Sequence, residues 1–189
     1  MRHTRPLVFW LATTLLLSAL PSPAATLADV TMPDRIDAGG NTLVLNGLGL
    51  RNKFIVKVYV GGLYLAAKES APAKILTAES PRRMAFHFLY SVKKQQMCDA
   101  FSEGLEANTP NANAEVKKNF STLCTYLEDI PKGNTMNVTF VPGQGIQVEV
   151  NGKVKGTLFG KPTADAILAT WIGPKPPTED LKNGVLGGK

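Results

Sequence analysis

From Phe54 to Val60 the side chains alternate, with Phe54, Val56, Val58 and Val60 on one side and Ile55, Lys57 and Tyr59 on the other. That is the period of a β-strand, and it marks the first half of the chain as sheet. Gly47-Leu-Gly-Leu-Arg51 runs directly into it. One guanidinium and one phenol therefore stand beside a strand that otherwise reads as apolar wall, and an Arg turned towards a core requires an anion. The Gly-x-Gly pair has no third glycine at position 52 and leads into strand periodicity, which argues against a dinucleotide loop. Its glycines mark close backbone approach or a bulge instead. Arg51, Lys53 and Lys57 also suit a solvated strand edge, where charge discourages unwanted pairing. A bulge near Asn52 would decide which way Arg51 faces.

The periods on either side define the fold class. After a lead-in over Thr26 to Pro33, Arg35 to Leu50 reads as strands turning at Ala38-Gly-Gly-Asn41. Ser70 to Lys74 is a connector, and Arg83 to Leu89 is a strand with Met84, Phe86 and Phe88 alternating against Ala85, His87 and Leu89. At Lys94 the period changes. A helix is predicted to Asn108, with Met97, Phe101, Gly104 and Leu105 on one face and a stop at Thr109-Pro110; a second spans Ala114 to Tyr126 on Val116, Phe120 and Leu123. Strands return over Thr135 to Val141 and Ile146 to Val150, and Asn151-Gly152 specifies a tight hairpin into Lys153 to Phe159. A helix over Pro162 to Trp171 and a short one from Thr178 to Leu181 close the chain. The order is strands, two helices, strands, then helix, with no βαβ alternation. It predicts an α+β fold, a large antiparallel sheet covered on one face by a layer of helices.

Residues 1 to 25 carry Arg2 and Arg5, an apolar run from Leu7 to Leu20, and then Pro21-Ser-Pro-Ala-Ala25. This tripartite pattern predicts a signal peptide, a mature domain over residues 26 to 189, and a periplasmic or secreted location. The run is short for a membrane span, so no stable span is expected after maturation, a retained anchor being the alternative. Loss of Arg2 and Arg5 leaves 19 of the 21 basic residues against 15 acidic ones, a net charge near +4. Those basic residues are scattered in ones and twos, which gives nucleic-acid binding little support. Cys98 and Cys124, the two cysteines, are read as a disulfide in an exported chain, with a pair of buried thiols as the alternative. With His87 the one histidine outside the leader, no metal site and no cofactor are expected.

Taken together, Gly47-x-Gly49-x-Arg51, Lys53-Phe54, Lys57-Val58-Tyr59-x-x-Gly62-Leu63-Tyr64, Glu103-Gly-Leu105-x-x-Asn108, Asn151-Gly152 and Thr170-Trp-Ile-Gly173 followed by Leu181 resemble the chalcone isomerase family. The similarity is to its secreted bacterial members and extends over the whole mature chain. It implies an open-faced β-sandwich with ligands held between sheet and helices. The family contains enzymes that cyclise chalcones and relatives that bind fatty acids without catalysis, so fold alone does not decide function.

In the enzymes an Arg orients the substrate, aided by a strand Thr, a Tyr and an Asn on the first helix, and a late Ser or Thr. Arg51 matches the Arg and Thr170 the late hydroxyl, whereas Tyr59 stands where the strand Thr is expected. The helix Tyr falls near Gln96 or Met97 and the Asn near Glu103 or Gly104, so neither is present. An Arg with a Tyr resembles the fatty-acid-binding branch, in which the pair holds a carboxylate. The resemblance thus implies a noncatalytic binding protein for a fatty acid or similar amphipathic carboxylate, with Arg51, Tyr59 and Thr170 as ligand-binding residues and Phe88, Phe101, Leu105 and Ile167 as candidate acyl-chain lining. The alternatives are an isomerase, or intramolecular lyase, acting on an enone through Arg51, Tyr59 and Thr170, and a ligand-free scaffold whose apolar residues are ordinary core.

Overall fold

A computed structural model describes residues 24–188, so the expected leader lies outside the described residues except for Ala24 and Ala25. Those two open strand β1 (Ala24–Leu27), which pairs with β2 (Val30–Pro33) as a separate hairpin. The main sheet has seven antiparallel strands whose spatial order is their sequence order. They are β3 (Arg35–Ala38), β4 (Asn41–Lys53), β5 (Val56–Leu65), β6 (Arg82–Phe88), β7 (Thr135–Val141), β8 (Gly145–Val150) and β9 (Lys153–Leu158). Helix α1 (Pro72–Thr77) joins β5 to β6, α2 (Lys94–Asn108) and α3 (Ala114–Tyr126) lie between β6 and β7, and α4 (Lys161–Ile172) and α5 (Glu179–Val185) follow β9. The fold is the α+β arrangement that the change of period at Lys94 required.

Patterning explains the layers. Met84, Phe86 and Phe88 of β6 are buried, while Arg83, Ala85 and His87 between them are half-buried on the other face. Helix α2 buries Met97, Cys98, Phe101 and Leu105, and α3 buries Val116, Phe120 and Leu123, each at three- and four-residue spacing. Asn113 caps α3 by accepting from the Val116 amide, and Thr178 caps α5 by accepting from Leu181. Helix α4 is buried from Ala166 through Ile172 because it has neighbours on every side. A disulfide joins Cys98 of α2 to Cys124 of α3, whose Cα atoms are 5.3 Å apart. The opposite face of the sheet is partly covered as well: Val30 and Met32 of the β1–β2 hairpin pack with Val60.

Three local features depart from the alternation read in the sequence. Phe54 and Ile55 are not strand residues but the two-residue turn between β4 and β5, where Lys53 pairs with Val56. The apolar alternation runs through a chain reversal, so periodicity did not reveal it. The connector at Ser70 to Lys74 contains the start of α1, which has Pro72 at its first position. Helix α5 continues past Leu181 to Val185 because Gly47 and Gly49 admit it: a Cβ at either glycine would collide with the backbone of α5 at Gly184 or Leu181.

One buried charge ties the far side of the helix layer to the sheet. Arg82, with 4% of its side chain exposed, pairs with Asp165 of α4 and donates to the carbonyls of Ile75 and Ala78 at 3.1 and 3.3 Å. Lys161 binds the second oxygen of Asp165 at 2.6 Å. Asp165→Asn keeps the shape but strands a buried guanidinium. The expected cost in urea unfolding is about 2 to 3 kcal/mol, below the usual range for a broken buried pair because Asp165 keeps 30% of its side chain exposed. A loss under about 0.5 kcal/mol would show that Arg82 is satisfied by the two carbonyls alone.

Candidate functional site

A cavity of about 360 Å³ lies between the sheet and the helix layer, within the range of about 300 to 1,000 Å³ found for small-molecule sites. Its sheet side is made by Arg51, Val58, Tyr59 and Phe86, and its helix side by Met97, Phe101, Thr170 and Trp171. The mouth carries exposed Lys53 and Phe54 from the hairpin and exposed Gln96, Asp99 and Glu103 from α2. Arg51, Tyr59 and Thr170, singled out from the sequence, thus line one cavity. Of the expected acyl-chain residues, Phe101 lines it, whereas Phe88, Leu105 and Ile167 belong to the surrounding core.

Local backbone geometry places Arg51. Gly47, Gly49 and Arg51 alternate along β4 and share a face. Helix α5 covers the two glycines, and Arg51 follows where that cover ends. Arg51 is paired with Tyr59 across β4 and β5, and the ladder shifts by one residue immediately after it, between Arg51 and Asn52. The bulge that the sequence left open therefore falls beyond Arg51 and leaves it facing the cavity. Its guanidinium carbon is 5.8 Å from the centre of the Tyr59 ring. Arg51 Nε is enclosed and has no hydrogen-bond partner among the described residues. None of the ion pairs among those residues includes Arg51.

Tyr59 is held by aromatic neighbours, edge-on to Phe86 at 5.1 Å and tilted to Phe88 at 5.6 Å. The Trp171 indole Nε1 donates to its hydroxyl oxygen at 3.2 Å. An indole nitrogen can only donate, so the Tyr59 oxygen accepts and its own proton remains available to another acceptor. Burial pushes the Tyr59 pKa up to about 12, against the smaller lowering effects of Arg51 and of the Trp171 hydrogen bond. Tyr59 is therefore a neutral donor near neutral pH. Trp171 was not singled out in the sequence because a late aromatic reads as core; the clue was that a buried indole N–H needs an acceptor.

Thr170 plays a different part. Its hydroxyl donates to the Ile167 carbonyl at 2.7 Å, so towards the cavity it offers lone pairs rather than a proton. Its methyl lies where a Cβ on Gly104 would come within 2.7 Å, which makes Gly104 and Thr170 the close crossing of α2 and α4. Gln96, Met97 and Glu103, at or beside the positions where the resemblance placed the enzymes' Tyr and Asn, do line the cavity. Among the described residues no three His, Cys, Asp or Glu side chains cluster as metal ligands. No described helix is long and apolar enough to cross a membrane.

A large antiparallel sheet laid against a layer of helices is the arrangement of the chalcone isomerase fold. The chain belongs to the chalcone isomerase-like family, whose sequence profile matches residues 24–187. Among solved structures it is similar to a fatty-acid binding protein of Arabidopsis thaliana, with 17% identity and a TM-score of 0.68 over 87% of this chain and 96% of that one. At that identity the likeness establishes the fold. No curated protein sequence matches the chain.

The tyrosine carries a prediction about alkaline stability. A phenol whose pKa is raised to about 12 by folding keeps its proton while the unfolded chain loses its own near pH 10, so stability falls as pH rises between those values. Tyr59→Phe removes that contribution. Between pH 9 and 12 the variant should lose less stability than wild type, by up to about 2 kcal/mol. Denaturant titrations at each pH measure it, and parallel curves for the two proteins would count against a buried, neutral Tyr59.

Proposed function

We propose that this protein is an exported, noncatalytic binding protein for a fatty acid or similar amphipathic carboxylate. One observation carries the reading: an enclosed Arg51 nitrogen without a partner among the described residues stands beside a Tyr59 proton free to donate, at a cavity otherwise lined largely by apolar side chains. The guanidinium offers a fork of donors to two oxygens, and the neutral phenol adds a third without repelling the anion. Val58, Phe86, Met97 and Phe101 provide the apolar contact that an acyl chain needs. The fatty-acid binding protein of the same fold lends support, as a likeness of architecture. The isomerase alternative draws less support, because the Thr170 proton that would assist an enone is committed to Ile167.

Binding should depend on Arg51 before Tyr59. Arg51→Ala leaves a desolvated carboxylate without its charge-assisted partner, at an expected cost of about 2 to 5 kcal/mol; Tyr59→Phe removes one neutral donor, at about 0.5 to 1.5 kcal/mol. Calorimetric titration of a long-chain acid, with the alcohol of equal length as control, measures both. If acid and alcohol bind alike, or Arg51→Ala binds as wild type does, the carboxylate reading fails.

Export rests on the leader pattern and on Cys98 and Cys124 being joined across two helices. Protein recovered from the periplasm of its host should begin near residue 26 and yield the crosslinked peptide on non-reducing mapping. An intact residue 1 with free thiols would reject export and the bond together.

A further inference from the structure

The β4–β5 turn is apolar, exposed and strained. Phe54 and Ile55 are 93% and 98% exposed, the highest among the large apolar residues described, and Tyr90 is 56% exposed. Phe54 and Tyr90 also line the cavity, so these exposed groups gather at its mouth. Phe54 has φ 56° whereas Ile55 does not adopt a positive φ, the pattern of a type II′ turn whose first central position suits glycine. A bulky side chain there strains the backbone and, being exposed, packs little of the core in return. Lys53 and Lys57 flank it, both exposed, and no acidic residue occurs from Asn41 to Lys68. The acidic groups of the mouth, Asp99 and Glu103, belong to α2 on its helix side.

We propose that this turn docks the sheet side of the cavity mouth onto an anionic phospholipid bilayer. Phe54 and Ile55 enter the acyl-chain boundary, Tyr90 lies at headgroup depth, and Lys53 and Lys57 meet the phosphates. The basic flanks select a negatively charged surface over an apolar protein groove, and a two-residue tip suits shallow insertion. The acidic residues of the mouth, Asp99 and Glu103, are on α2 and not on the docking turn. Docking goes beyond the proposed ligand and does not require it, because vesicle binding reports on the turn whatever the cavity holds.

The test is flotation of the protein with vesicles of phosphatidylcholine and phosphatidylglycerol in equal parts, and with phosphatidylcholine alone. The N-terminus is sequenced on the same sample, since an uncut apolar segment 7–20 would itself bind vesicles. Wild type should bind the anionic vesicles and release as salt rises. Phe54→Gly removes both the side chain and the strain, so its Tm should equal or exceed wild type while partition falls about tenfold. Ile55→Ser, which does not line the cavity, should lose a similar amount, and Lys53→Gln with Lys57→Gln should lose about tenfold on anionic vesicles alone. Absence of wild-type binding at low salt, or wild-type binding by Phe54→Gly and Ile55→Ser, overturns the proposal. So does a turn-dependent dimer that ignores vesicles, which would assign the surface to a second copy of the chain.

Discussion

The layers are set by the absence of two side chains. Gly47 and Gly49 let the backbone of α5 rest directly on β4, and a Cβ at either position would force the helix away. Leu181 and Val185 of α5 are thereby drawn into the same core as Leu63 and Phe86. Strand alternation then puts the next side chain on that face, Arg51, at the point where α5 no longer covers the sheet. Pro177, just before α5, also lines the cavity. The seal over the glycines and the opening at Arg51 are consecutive results of one periodicity.

A second constraint joins sheet to helices across the cavity floor. Trp171 touches Phe86 at 4.9 Å and Phe101 at 5.5 Å, and its indole proton goes to Tyr59. A buried phenol and a buried indole each need a partner, and each partly serves the other. The exchange is asymmetric, because the indole spends its proton and the phenol does not. What remains is one polar hydrogen in an aromatic setting, next to a guanidinium with an unpaired nitrogen. On the same helix, Thr170 packs so closely on Gly104 that α2 and α4 cross with no room for a Cβ there.

Much of this was readable before any coordinates, and the parts that were not share a cause. Helices α2 and α3 announced themselves by spacing and by the stop at Thr109-Pro110, and Asn151-Gly152 by turn chemistry, all of which act within a few residues. The family resemblance brought Arg51 and Tyr59 together; composition alone did not. Chain reversal at Phe54-Ile55 was hidden because the apolar pattern continues across it, and the turn uses a phenylalanine where glycine is the usual signal. Unlike the i,i+4 pair Lys161–Asp165 within α4, Trp171–Tyr59 and Arg82–Asp165 join residues 112 and 83 positions apart. No local pattern encodes such pairs.

Two arginines on this sheet show what distinguishes a structural cation from one left for a ligand. Both lie over aromatic rings, Arg82 at 4.9 Å from Phe140 and Arg51 at 5.8 Å from Tyr59. Arg82 also has a carboxylate and two backbone carbonyls, so its desolvation is offset within the fold. Among the described residues Arg51 has no such set, and one of its nitrogens is enclosed without a partner. Placing a guanidinium among apolar groups costs free energy unless an anion offsets it. Within the fold one acidic residue, Asp165, serves both Arg82 and Lys161, whereas the acidic residues that share the cavity with Arg51, Asp99 and Glu103, stand at its exposed rim. An anion brought in from outside is the partner that this distribution of charge leaves room for, and its attached apolar body is what the aromatic floor can accept.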